Sequence, residues 1–384
     1  MQLHLLLLDE GFMSGAYTAI GLRDAGCRIT IVAGTGGRGH YDGQNIDWSL
    51  APAISSREYL CAIDRLVRRS TYDYVLPLTE PIQALLWDAA PAWSDRIFPP
   101  TAEWQRELLR DKRRLAEFVA ARGIAVPEYR ALANDDALCA AIAALGMPLV
   151  VKGSIGRGGS TTHVVHSPSA AREAMARVRR AGADCFAQRY VTPPTYLAGG
   201  TFVAGCPLRL YAGIKVAQHP RLIGPATTMR SLCDERLLNA AMATMRVLEW
   251  TGLASLDFVR DADGQYLLLE VNPRPWGSIA AASAAGVDFF APLAAVLRGE
   301  QPLPELAFRD GVERAVFPLA LLAAESWRPR ALSGVVRGFR SDRGVWRPWR
   351  QARHLIHRLA RVAHNWQVTN DALFELHQED GVTE

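Results

Sequence analysis

The sequence predicts an α/β protein, with a parallel, doubly wound sheet at its N-terminal end and a longer portion of mixed helices and strands behind it. Three observations predict this. Over residues 1–100, apolar strand-like runs alternate with helical stretches, the β–α–β–α–β rhythm of a parallel sheet. Residues 123–191 alternate again in shorter elements, and from residue 199 the pattern turns to strands. A chain of 384 residues, about half of them apolar, is long enough for two or three domains with sizeable cores.

Taken in order, LHLLLLD is an apolar run suited to a strand buried on both faces, and its short length and acidic end (Asp9, Glu10) distinguish it from a signal peptide. GAYTAIGLRDAG is a helix closed by Gly26, CRITIVAG the next strand, and SREYLCAIDRLVRRS a helix opened by a capping serine. YDYVLPLTE is a third strand and PIQALLWDAAPAW its helix. Residues 103–122 read as one charged helix with an apolar stripe through Leu108, Leu115 and Val119, closed by Gly123. DDALCAAIAAL is helical, MPLVVK and TTHVVH are strands joined by GSIGRGGS, SAAREAMARVRRAG is a helix and DCFAQRYV a strand. TFVAG and LRLYAGIKVAQ flank a turn at Cys206 and Pro207. A helix with Leu238, Ala241, Met245 and Leu248 on one face leads to the strands LASLDFVR and QYLLLEVN, then to a short helix, SIAAASAAG.

Composition excludes several classes. Forty-three basic against 39 acidic residues is too balanced to argue for a polyanion partner. Six scattered cysteines without a CxxC pair suit free thiols in a reducing cytoplasm. The histidines form no metal-binding pair such as HExxH, and no apolar run is long enough for a bilayer. The expectation is a cytoplasmic protein with neither a nucleic-acid nor a membrane partner.

The stretch LLLEVNPRPWGS carries the chemistry. Alternation puts Leu268, Glu270 and Asn272 on one face of a strand, and Ser255, Asp257 and Val259 on one face of the strand before it. If Asp263-Gly264 in DADG makes a two-residue hairpin turn, Asp257 stands opposite Glu270. Two carboxylates about 5 Å apart repel by roughly 3 kcal/mol at an effective dielectric of about 20. On the acids alone a solvated hairpin face is the ordinary reading. Asn272 beside them, and the rigid Pro-Arg-Pro exit that stops the strand, favour a cation held by Asp257, Glu270 and Asn272. Oxygen ligands suit Mg²⁺ or Mn²⁺, with nucleotide phosphates filling the remaining positions. Arg274 is then fixed where a phosphate or carboxylate would lie. VVKGSIGRGGSTTHVV supplies a phosphate loop: Lys152 ends a strand, and Gly156, Gly158, Gly159 and Ser160 offer backbone N–H groups to an anion. The order GxxxxGK[ST] is absent, so this is a glycine flap and not a P-loop.

Together these stretches resemble the ATP-grasp superfamily over residues 101–300: Lys112 before GIAVP, the flap PLVVKGSIGRGGS, the hinge AQRYV, and DFVRDADGQYLLLEVNPRPWGS. Residues 1–102 fit the Rossmann-like domain that precedes such a fold. The resemblance implies a small lid subdomain at 103–190, a large metal-binding subdomain at 191–310 and an extension at 311–384. It implies that Lys112 and Lys152 contact the α- and β-phosphates of ATP, and that the flap closes over the γ-phosphate. Gln188, Tyr190 and Val191 would line the adenine site, and Lys215 and Arg230 would project toward phosphates or the acyl group. Asp257, Glu270 and Asn272 would hold Mg²⁺, and Arg274 would neutralise an acyl phosphate. Relatives place a ribose-binding acid after the hinge; here VTPPTY has none and Thr195 stands in its place.

The implied activity is an ATP-dependent ligase, joining a small carboxylate, an amino acid among the candidates, to an amine through an acyl phosphate. Loops at residues 11–17 and 34–45 would select the substrate. Whether identical chains associate stays open. One alternative is an ATP-binding protein without catalysis. Another is a NAD-linked oxidoreductase using GTGGRG at residues 34–39, disfavoured because that motif follows the second strand and no helix follows it. The Arg- and Trp-rich tail from residue 337 reads as a helix packing Leu355, Leu359 and Trp366 on the body, with His354 and His357 at the surface.

Overall fold

A computed structural model describes residues 2–34, 45–156, 161–218 and 224–316. The N-terminal elements are β1 (His4–Asp9), α1 (Met13–Asp24), β2 (Arg28–Ala33), β3 (Asp47–Leu50), α2 (Glu58–Arg69), β4 (Tyr74–Pro77) and α3 (Glu80–Ala89). They build a parallel sheet of order β3-β2-β1-β4. Alternate residues of β1 enter two separate cores: Leu6 and Leu8 pack under α2 and α3, and Leu5 and Leu7 pack on the opposite side. β3 escaped the sequence reading because DWSL is a polar edge strand with both ends exposed. The expected loop at 11–17 is only Gly11 and Phe12, since α1 starts at Met13. Of the glycine motif at 34–39 and the loop at 34–45, residues 35–44 lie outside the described residues, as do Gly158, Gly159, Ser160 and the tail with Leu355, Leu359, Trp366, His354 and His357.

The single helix expected over 103–122 is two, α4 (Glu103–Arg110) and α5 (Lys112–Ala120). Asp111 breaks it: its backbone is extended, and its Oδ1 accepts the N–H groups of Arg113 and Arg114, each at 2.9 Å, as an N-cap. Lys112 thereby becomes the first residue of a helix instead of one exposed position along a longer one.

β5 (Tyr129–Ala131), α6 (Asp135–Leu145), β6 (Leu149–Gly153), β7 (Thr162–Val165), α7 (Pro168–Arg180) and β8 (Cys185–Arg189) follow. Their strands form an antiparallel sheet of order β5-β8-β6-β7. Leu149, Val151, Cys185 and Ala187 face α6 and α7. Lys152, paired with Phe186, and Val150, paired with Gln188, therefore occupy the face that those helices leave uncovered.

The remaining elements are β9 (Thr195–Val203), β10 (Cys206–Gln218), β11 (Ala226–Ser231), α8 (Glu235–Leu248), β12 (Gly252–Arg260), β13 (Tyr266–Asn272), α9 (Ile279–Ala284), α10 (Phe290–Leu297) and β14 (Glu313–Ala315). The strands make a larger antiparallel sheet of order β13-β12-β9-β10-β11-β14. The turn between β9 and β10 is Ala204-Gly205, two residues ahead of the expected Cys206-Pro207; both have positive φ, as a tight hairpin turn demands. One face of this sheet is covered by α8 and α5 through Leu237, Ala241, Met245, Leu115 and Val119. On the other, Leu197, Tyr211, Met229 and Leu253 join α9, α10, α1 and the N-terminal sheet in one continuous core. Among the described residues, no helix is long and apolar enough to cross a membrane.

The hairpin β12–β13 departs from its expected geometry in two ways. Its tip is a three-residue turn: Gly264 N–H donates to Asp261 C=O at 3.2 Å, Asp261 pairs with Gln265, and Gly264 takes a φ of 81°. Near the tip Arg260 faces Tyr266 and Phe258 faces Leu268; a bulge at Leu269 then restores the pairing Asp257↔Glu270 and Ser255↔Asn272. Leu268 consequently sits in the α8-side core with Phe258, on the face opposite Glu270, and not beside it as strict alternation had implied. Bulges beside functional sites often re-aim a side chain in this way.

Asp234 fastens α8 to β13. Its Oδ1 caps α8 by accepting the N–H groups of Arg236 and Leu237, and its Oδ2 accepts the Tyr266 hydroxyl at 2.8 Å. Asp234→Ala is expected to destabilise the chain by about 1–2 kcal/mol, and Tyr266→Phe by about 1 kcal/mol, in chemical denaturation.

Candidate functional site

The two acids that the sequence paired lie where lysines from α5, the small sheet and the large sheet converge. α5 delivers Lys112, whose Nζ donates to Glu270 Oε2 at 2.8 Å. Lys112 N–H also donates to the Ser154 carbonyl at 2.8 Å, which anchors the start of α5 to the exit of β6, two residues beyond Lys152. β10 delivers Lys215, whose Nζ lies 2.9 Å from Asp257 Oδ1. That ammonium is the partner of the buried Oδ1. Lys152 is 9 % exposed.

Electrostatics separate the two acids. Burial opposes ionisation of Glu270, but the hydrogen-bonded Lys112, with Lys152 and Lys215 behind it, holds the carboxyl well below the usual range. Burial pushes the Asp257 carboxyl up, Lys215 opposes this, and the Glu270 charge adds to the rise. Burial brings the Lys152 ammonium down to about 8, against the pull of Glu270. Lys112 is held above its ordinary value because Glu270 outweighs the burial that acts against it.

Asp257 and Glu270 could hold a divalent cation: the two carboxylates face each other across β12 and β13 and their charges are offset by lysines. Among the described residues no group of three or more His, Cys, Asp and Glu is arranged for a metal, so any cation here relies on two carboxylates, an amide and oxygens from a ligand, a pattern that suits Mg²⁺. Asn272 presents its Nδ2 to Glu270 Oε1 at 3.5 Å and its Oδ1 to Arg274 Nη2 at 3.3 Å. Ligation by its oxygen would require the amide to turn over, an assignment made by the hydrogen-bond network.

Arg274 is held by Glu80, with Nε 3.1 Å from Oε2. Gln83, one turn along α3, donates its Nε2 to the Pro273 carbonyl at 2.8 Å. These two residues were absent from the sequence reading. A signal existed: LTEPIQ lies just past a parallel strand, at the carboxyl edge where open α/β sheets bind ligands.

The other expected positions divide. Gln188 is 2 % exposed on the same uncovered face as Lys152. Tyr190 and Val191 follow β8 and are partly exposed. Thr195 is buried and pairs with Val259, two residues from Asp257 on the same strand face. At Gly156 a Cβ would fall 2.1 Å from Thr161 Oγ1 and φ is 149°, so the flap turns where only glycine fits. Arg230 is a correction. It pairs with Ile214, which packs toward the α8 layer, whereas its neighbour Met229 pairs with Lys215 and enters the opposite core. Arg230 is exposed on the face away from Lys215 and the acids.

Comparison with known proteins gives the fold a name. A family model described as ATP-grasp in the biosynthetic pathway with Ter operon matches residues 212–314, which contain Lys215, Asp257, Glu270, Asn272 and Arg274. A biotin carboxylase from Campylobacter jejuni, solved as a β-γ-ATP complex, is similar at a TM-score of 0.67 and 18% identity, over 80% of this chain and 74% of that one. An L-amino acid ligase from Bacillus licheniformis is similar at 0.60 and 16% identity, over 79% and 75%. The biotin carboxylase domain dimer of Hydrogenobacter thermophilus 2-oxoglutarate carboxylase, solved with MgADP, ADP and bicarbonate, is similar at 0.64 and 15% identity, over 80% and 73%. The chain carries the ATP-grasp fold.

Burial also pushes the Asp9 carboxyl, at the end of β1, up to about 7 from an ordinary 3.8. Among the described residues, the ionisable groups facing it are Glu10 and, from α2, the Tyr59 phenol. Between those two values the folded chain keeps a proton that the unfolded chain releases, so stability falls as pH rises. The stability of Asp9→Asn relative to the parent should therefore rise by roughly 2–3 kcal/mol between pH 5 and pH 8, read by denaturation at each pH.

Proposed function

We propose that this chain is an ATP- and Mg²⁺-dependent ligase that activates a small carboxylate, an amino acid or a related acid, as an acyl phosphate and joins it to an amine, releasing ADP and phosphate. The observation that carries this reading is the facing pair Asp257 and Glu270, surrounded by Lys112, Lys152 and Lys215. The ATP-grasp fold, and the nucleotides bound in the similar carboxylase structures, support it.

Mg²⁺, when bound, would supply charge neutralisation of the triphosphate. The chain's own residues supply position and charge. Asp257, Glu270 and a turned Asn272 amide hold the cation; Mn²⁺ would satisfy the same oxygens. Lys112 and Lys215, which pair with these acids, would turn to phosphate oxygens if a cation took the carboxylates. Lys152 and Gly156 serve the phosphates from the small sheet, and Gln188, Tyr190 and Val191 present the edge that takes adenine. Thr195 takes the ribose in this reading, since VTPPTY offers no acid for it. Arg274, kept in place by Glu80 and the Gln83–Pro273 bond, offsets the charge of the acyl phosphate. Positioning and electrostatic stabilisation suffice for such a transfer, and no nucleophilic side chain is required.

A phosphate-release screen over paired acids and amines tests the activity. Glu270→Gln should abolish ADP formation with the fold retained by circular dichroism; normal turnover would remove the metal assignment. Lys152→Ala should raise the KM for ATP about tenfold or more, with a smaller change in kcat, because it removes one buried cation from the phosphate site; an unchanged KM would refute the phosphate role of the flap strand.

A further inference from the structure

α3 follows the last strand of the first sheet, yet its opening turn grips the exit of β13. Glu80 and Gln83 stand three positions apart and share one face of the helix. Gln83, 2 % exposed, donates its Nε2 to the Pro273 carbonyl at 2.8 Å. Glu80 places Oε2 3.1 Å from Arg274 Nε. One helical turn therefore holds the backbone of one residue and the side chain of the next. The turn itself has little freedom: Gln83 N–H donates to the Thr79 carbonyl at 3.0 Å, and Pro81 restricts the backbone at its start.

The other bonds of Arg274 are local. Its backbone N–H donates to the Asn272 carbonyl at 2.8 Å, Nη1 to the Pro275 carbonyl at 3.0 Å, and Nη2 to Asn272 Oδ1 at 3.3 Å. Such bonds do not tie the guanidinium to the rest of the protein. Among the described residues, Glu80 is the acid that pairs with it. Nη1 and Nη2 each carry a second N–H, which leaves donors for a planar carboxylate or a phosphate. Both side chains of the pair keep some exposure, 20 % for Arg274 and 31 % for Glu80, so a small acid can reach the guanidinium. Without Glu80 two other anions would compete for this charge. One is the Glu270 carboxylate, whose Oε1 is 3.5 Å from the Asn272 amide. The other is the triphosphate of the nucleotide. Glu80 also lies within electrostatic reach of Lys112, so it stands among the charges of the site and not outside them.

We propose that Glu80 and Gln83 are positioning residues that reserve Arg274 for the carboxyl group of the substrate, an inference that rests on the ligase reading above. Glu80 balances the guanidinium and keeps it off Glu270 and the nucleotide, while Gln83 fixes the strand exit from which it projects. The donors left on Nη1 and Nη2 then serve the carboxyl. The N-terminal domain thereby takes part in the acid step without touching the reacting atoms.

The test uses the full-length chain, with the acid and amine that release most phosphate in the screen above. Glu80→Gln should lower the acid-dependent kcat about tenfold or more and raise the KM for the acid, because an unanchored arginine no longer meets the carboxyl in one geometry. Calorimetric titration with a non-hydrolysable ATP analogue and Mg²⁺ should show nucleotide affinity retained or tightened in the same variant. Glu80→Asp, which keeps the charge, should recover part of the lost turnover. Gln83→Met, which removes the donor to Pro273, should lower kcat in the same direction. A merely structural role predicts that turnover and nucleotide affinity fall together, with no recovery in Glu80→Asp; that result would overturn the proposal, as would unchanged turnover in Glu80→Gln. Phenylglyoxal labelling, read by peptide mass, needs no substrate. Arg274 should react severalfold faster in Glu80→Gln than in the parent, with the exposed Arg230 as reference; equal rates would also overturn the proposal. A parent that releases no phosphate with any pair, but whose Arg274 labels faster in Glu80→Gln, would sink the ligase reading and leave the hold on Arg274 standing.

Discussion

The repulsion between Asp257 and Glu270 is the constraint around which the cleft is arranged. Adjacent antiparallel strands hold the two carboxylates face to face, and such a pair in a low-dielectric setting persists only beside cations. The fold supplies cations from three directions: Lys112 from a helix start, Lys215 from a neighbouring strand, and Lys152 from the other sheet. Each is placed by backbone that has little freedom to move. Lys112 follows a capping aspartate and is bonded to the β6 exit; Lys215 and Lys152 lie within paired strands.

Because the opposing charges come from both sheets, the acids also act as a fastener between them. The lysines hold the carboxylates in position, and a divalent cation arriving with its own anionic ligand would exchange with them without exposing an uncompensated charge. The two acids are unequal in this: Glu270 is held ionised by its lysines, whereas burial disfavours the charge on Asp257.

How much of this was legible in the residues depends on the range of the interaction. The parallel N-terminal sheet, the lysine before the flap and the E-x-N-P-R exit were readable because alternation, glycine and proline act locally. The pairing of Asp257 with Glu270 was anticipated through a two-residue turn that does not exist; the wider tip and the bulge at Leu269 cancel, so the register at the acids agrees while Leu268 falls on the other face. The break at Asp111 was hidden because its neighbours are good helix formers, and only the cap geometry reveals it. Glu80 and Gln83 could not be joined to Arg274 and Pro273 from sequence, since about 190 residues separate them and nothing local marks the contact. Arg230 was misassigned because its face depends on the register of β11, an element the sequence reading had not identified.

The core beneath α1 has a bearing on how this architecture can be taken apart. Leu5, Leu7, Ile29 and Ile31 of the first sheet share one apolar interior with Ile279, Phe289, Phe290 and Leu293, about 250 residues further along the chain. The opening hundred residues are therefore not a portable cassette. Grafted onto another protein, or produced alone, they would present an oily flank that their natural partner conceals, and any lineage exchanging this segment must have carried the helices around positions 279–297 along with it or rebuilt their contact surface.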